Sequence, residues 1–164
     1  MHGIYLLALL ACGSDNEKSG SDSVISDEDA RAIDLWDELS GYETWEQHSD
    51  WTGMVLSEDG THGDYVSIWM NDAAAAAIDS GDGGDLPEGS IIVKEGYNDV
   101  PGGGVGDELK GLTVMLKEEG WGDDGWFWAK FDTDRGGGVQ LAGAVAACAN
   151  CHAGGQDAVL FTTW

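Results

Sequence analysis

The chain has 164 residues and a formal charge of −24, with 31 acidic residues against 7 basic ones. Nucleic-acid binding is excluded, because phosphate contacts need Lys and Arg. The acids are spread through turns and helix faces, which describes a solvated surface more than a binding patch.

Residues 1–11, MHGIYLLALLA, form an apolar run too short to span a membrane, and read as a signal segment. The run ends in Leu9-Leu10-Ala11-Cys12, which looks like a bacterial lipobox with Cys12 as the acylated residue. No positive n-region precedes it, and an ordinary signal peptide is the competing reading. Residues 12–25 are rich in Gly, Ser and Asp and read as a flexible tether. Residues 26–164 are long enough for a single domain with a real core.

Within that domain, Ser26 followed by Asp27, Glu28 and Asp29 starts a helix, with acids complementing the dipole of its first turn. Ile33, Trp36 and Leu39 at helical spacing carry the prediction to about residue 47. Residues 65–70 alternate like a strand, and Asn71-Asp72 caps a short helix over 73–78. Strands are predicted at 91–95, 112–117 and 126–131, with a glycine-rich loop over 96–107. Residues 139–147 read as a strand followed by a helical turn, and 159–163 as a last short strand. The fold expected is mainly β within the α+β class: a single antiparallel sheet with an N-terminal helix and short helical inserts.

Residues 148–152 read CANCH. C-x-x-C-H is the attachment signature of a c-type haem. Cys148 and Cys151 would add across the vinyl groups, and His152 would ligate the iron from the proximal side. A structural zinc site needs four ligands, and no second C-x-x-C or H-x-H pair exists. A thioredoxin-like motif wants a strand-to-helix context, which these Ala- and Gly-rich surroundings do not offer. A disulfide across two residues is the plainest alternative. Haem is attached to this motif after export, which agrees with the signal segment and places the protein in the periplasm. The helical cytochromes c are excluded, since their motif lies near the N-terminus and a Met ligand follows it. Only a dozen residues follow His152, and none is Met.

Taken together, the motifs resemble the cytochrome P460 family, which includes cytochrome c′-beta. The resemblance runs through His62-Gly63, Val66-Ser-Ile-Trp-Met-Asn71, Leu86-Pro-Glu-Gly-Ser-Ile-Ile-Val-Lys-Glu95, Leu112-Thr-Val-Met-Leu-Lys117, Gly125-Trp-Phe-Trp-Ala-Lys130 and the CANCH itself. It implies a predominantly β fold, a homodimer, and one five-coordinate haem c with an open distal side. In cytochromes P460 proper a lysine is also bonded to the porphyrin edge, and Lys94 matches that position. The bond is linked to oxidation of hydroxylamine to nitrogen oxides, whereas the c′-beta members bind nitric oxide in an apolar pocket. The enzymes carry a distal arginine on the strand before the short helix. Here that position is Val66 or a neighbour, and no basic residue occurs between Arg31 and Lys94.

Glu95 is a candidate proton acceptor one layer out from the haem, with a solvated surface carboxylate as the equal alternative. Met115 and Met70 are candidate sixth ligands, although Met in apolar strands is more often core. His62 reads as a loop histidine. Trp69, Trp126, Phe127, Trp128, Phe131 and Phe161 are candidate pocket walls. The function expected is an oxidoreductase acting on hydroxylamine or nitric oxide, passing electrons to a partner cytochrome. A nitric oxide-binding protein or an electron-transfer cytochrome are the other readings.

Overall fold

Ser26 caps the first helix, its Oγ accepting from the Asp29 N–H at 3.1 Å. The structure, a computed structural model, describes residues 25–57 and 60–164. The expected signal segment, Cys12 and residues 13–24 of the expected tether lie outside the described residues.

Helix α1 spans Asp27–Glu38 and buries Ala32 and Leu35. It is shorter than its apolar spacing predicts, because Gly41 adopts φ +78 and the chain turns there into a 3-10 turn, Tyr42–Thr44. The buried stripe is also rotated by one position from the predicted one: Ile33 is 47 % exposed. Strand β1, Val55–Leu56, precedes β2, Tyr65–Met70, and helix α2 follows over Asp72–Ser80. Asn71 explains that junction. Its Oδ1 accepts from Ala74 N at 3.1 Å and Ile91 N at 3.0 Å, while its Nδ2 donates to the Gly89 carbonyl at 2.8 Å. One side chain thereby caps α2 and ties it to the start of β3.

Strands β3, Ile91–Asp99, and β4, Val105–Lys117, form a long hairpin, longer than expected because the glycine-rich stretch carries the ends of both strands. β5, Trp126–Phe131, and β6, Val139–Gly143, complete the sheet, and α3, Ala146–His152, follows. All six strands pair with their sequence neighbours in the order β1-β2-β3-β4-β5-β6, each pair antiparallel. The expected α+β fold with one antiparallel sheet is what the structure shows. Residues 159–163 do not form the predicted strand; there is only an isolated bridge between Gln156 and Val159.

Both faces of the sheet are covered, as the apolar runs of β3 and β5 require. On one face, Val93, Leu112, Val114, Phe127 and Phe131 pack under α1. On the other, Val66, Ile68, Ile92, Met115, Trp126 and Trp128 pack against α2 and the segment after α3. Alternation along each strand sends consecutive residues to opposite cores. Burying each large apolar side chain contributes roughly 1.5–3 kcal/mol, so each face has enough to anchor its own layer.

Candidate functional site

Strand β6 ends at Gly143, whose φ of +105 is open to glycine and whose missing Cβ leaves room for the Glu28 side chain. The chain turns there into α3. On a helix, positions three and four apart share a face, and Cys148, Cys151 and His152 all line one cavity between α3 and the sheet, of about 300 Å³. Ile92, Met115 and Trp128 from three adjacent strands form its apolar floor, and Val159 and Phe161 close one side. Cys148 is half-buried, Cys151 is exposed, and both are free thiols. Burial, and next the neighbouring Cys151, push the Cys148 thiol above its ordinary pKa.

His152 is held as a ligand should be. Its Nδ1 lies 2.7 Å from the Ala158 carbonyl. A carbonyl only accepts, so Nδ1 carries the proton and donates, which makes Nε2 the unprotonated nitrogen, the form in which imidazole ligates a metal. The ring is 7 % exposed and meets Trp128 edge-on at 4.8 Å. The carbonyl that orients it sits on a strained bend, with Asp157 at φ +41 and Ala158 at φ +62. The Asp157 carboxylate holds the bend in place. It accepts from Leu86 N at 2.6 Å, Lys117 Nζ at 2.7 Å and Trp126 Nε1 at 3.1 Å.

Lys94 lines the same cavity, on β3. Glu95 does not. Being next in a strand, it faces the opposite core, where it is 2 % exposed. Tyr42 and Tyr97 donate their hydroxyls to its carboxylate, and Arg135 pairs with it. Burial, then the hydrogen bond to Glu95, push Tyr97 up to about 12, and the same two causes raise Tyr42. The expectation that Glu95 serves as a proton acceptor in the pocket is therefore corrected: the sheet separates it from the cavity.

His62 lies in a loop, as expected, and its side chain forms a wall of the cavity. Its Nδ1 is 3.3 Å from Thr113 Oγ1, and its ring centre is 6.2 Å from that of His152. Two glycines permit this placement. A Cβ on Gly96 would overlap the His62 carbonyl, and one on Gly63 would lie 2.6 Å from Tyr97 N. The signal in the sequence was the pair itself: a His-Gly before one strand and a lone Gly inside the next. Of the expected wall aromatics, Trp128 and Phe161 line the cavity, while Trp69, Phe127 and Phe131 belong to the α1 side. Trp126 is on the cavity side but buried behind it, at Asp157. Met115 lines the cavity and Met70 does not. Neither arginine lines it: Arg31 pairs with Glu38 and Glu118, Arg135 with Glu43 and Glu95.

Two thiols, an imidazole protonated at Nδ1 and flat apolar walls fit a haem held at its vinyl edge. They do not fit zinc. Among the described residues, no group of three or more His, Cys, Asp or Glu is placed to hold a metal ion. The comparison with curated proteins found no match. Residues 39–162, most of the chain, match the family Cytochrome P460, and the match spans the whole sheet, Lys94 and the CANCH helix. On this match and this site, the chain belongs to the cytochrome P460 family, whose members bind haem.

Proposed function

We propose that this is a periplasmic c-type haem protein that oxidises small nitrogen compounds, hydroxylamine or nitric oxide, at an open iron site. One haem would be bonded through Cys148 and Cys151, with His152 Nε2 as its proximal ligand. The observation that carries the reading is that Lys94 lines the same cavity as Cys148, Cys151 and His152. That is where the porphyrin-bonded lysine of the oxidising branch is expected. The bound haem supplies one-electron chemistry and a coordination position for the nitrogen ligand.

The chain supplies the rest. The Ala158 carbonyl strengthens His152 as a donor by holding its Nδ1 proton. Ile92, Met115 and Trp128 exclude water from the cavity floor. With Glu95 behind the sheet, His62 is the imidazole that the wall offers to take a proton from the substrate. The lipid anchor on Cys12, a homodimer and a partner cytochrome as electron acceptor complete the proposal, on the lipobox and the family resemblance.

The test is peptide mass analysis of protein matured in a host able to attach haem c, with hydroxylamine turnover measured alongside. The Lys94 peptide should travel with the haem peptide, and a Lys94→Arg variant should lose both the link and the turnover. Separate peptides and no turnover in the native protein would sink the oxidase reading. The apolar floor, with no arginine in the cavity, favours a second reading, nitric oxide binding of the c′-beta kind. A five-coordinate ferrous spectrum that changes with nitric oxide, without turnover, would select it. A six-coordinate, low-spin ferrous spectrum would leave electron transfer.

A further inference from the structure

Cations are scarce in this protein, 7 against 31 acidic residues. Arg31, Arg135 and Lys117 each pair with a carboxylate. Lys110 and Lys130 do not: among the described residues no ion pair or hydrogen bond engages either ammonium group, and both side chains line the cavity. In a chain with 31 acidic residues, two lysines without a carboxylate on one wall call for an explanation.

Their placement comes from the strands. Lys130 pairs with Thr113 across β4 and β5, and Thr113 pairs with Lys94, so the three share a cross-strand row on the cavity face. Lys130 lies over Gly111, where a Cβ would sit 3.7 Å from its Cε. Lys110 reaches the same wall through an irregularity. Gly96 pairs with Gly111 but Tyr97 pairs with Leu109, so Lys110 is the extra residue of a bulge. Leu109 is thereby returned to the α1-side core, and Lys110 to the cavity.

We infer that Lys110 and Lys130 bind the two propionate carboxylates of the haem, fixing its orientation opposite the thioether edge on α3. The inference rests on the haem reading above. A haem brings two carboxylates into a chain that already carries a charge of −24, and nearby ammonium groups offset that repulsion. Their positive charge also disfavours the ferric over the ferrous iron.

The experiment compares native holoprotein with Lys110→Gln, Lys130→Gln and Lys130→Arg, by resonance Raman of the propionate bending band and by spectroelectrochemical titration. Each Gln variant should shift the band and lower the reduction potential, and Lys130→Arg should restore most of the potential. Unchanged band and potential in both Gln variants would overturn the inference. So would loss only of a spectral response to added nitrite, which would assign the lysines to a diffusing anion. If Lys130→Gln fails to mature, recovery of haem in Lys130→Arg supports the carboxylate clamp, and failure of both overturns it. Native protein without haem would refute the haem reading itself, before any variant is compared.

Discussion

The two faces of the sheet use charge in opposite ways. Under α1, the buried carboxylate of Glu95 is closed in by two phenols and a guanidinium and cannot meet a ligand. On the cavity side, three lysines, two histidines and two thiols face an open space. Lys94 and Glu95 are chain neighbours, yet each belongs wholly to one of these regimes. A strand six to thirteen residues long can thus serve as the wall between a structural network and a reactive pocket, because its side chains alternate. The closed face gives rigidity, while the open face lines the cavity.

That division can be broken experimentally. The largest effect is expected from Phe127→Ala, which empties a fully buried site under α1 and should cost about 4 kcal/mol of stability in urea unfolding. The haem absorption should stay native, since Phe127 faces away from the cavity; a changed spectrum would mean that the two faces are coupled. Next comes Asp157→Asn, on the cavity side, which leaves Lys117 without its charge partner where the two side chains are only 11 % and 6 % exposed. A loss of about 3 kcal/mol is expected. Unlike Phe127→Ala, it should also disturb His152, the proposed iron ligand, because Asp157 holds the bend that carries the Ala158 carbonyl. An iron–histidine stretching band identical to that of the native protein would refute that link.

Glu95→Gln should cost less, about 2 kcal/mol, since the amide oxygen still accepts while its NH2 group opposes the phenols and Arg135. Hydroxylamine turnover, or nitric oxide binding, should be unaffected; a specific loss of either would return Glu95 to the pocket chemistry. The last effect is alkaline. The Tyr97 phenol titrates near 10.0 when unfolded but at about 12 when folded. Above pH 10 the unfolded chain loses that proton while the folded one keeps it, so stability falls as pH rises, until Tyr97 itself ionises near 12. Unfolding midpoints measured between pH 9 and pH 12 in the native protein and Tyr97→Phe should diverge from about 10 upward. Parallel curves would show that Tyr97 is not the group responsible.

Much of the fold was legible because its signals are local. Period-two alternation marked β2 and β5, short apolar runs marked β3 and β4, and Asn71 marked the start of α2. Strand β1 was missed because two residues carry no period. The end of α1 was overrun because helical spacing continued past Gly41. The segment after His152 resembled a strand by composition, but two left-handed residues and the bond from His152 commit it to a bend instead. At the site, the CANCH motif stands out by its spacing. His62 did not, because its role rests on two glycines 33 residues apart that let separate segments touch.

The order of the chain alone determined that Cys148, Cys151 and His152 lie close together, since they occupy one helical turn. It also determined that Lys94 and Glu95 point in opposite directions, as neighbours on a strand must. Only the tertiary structure decided which of the two meets the cavity. That choice depends on which face α1 covers and which face receives α3, and packing of whole elements settles it. Lys110 shows the same limit: a bulge set by pairing with β3 turns it to the cavity, and no local pattern in β4 announces it.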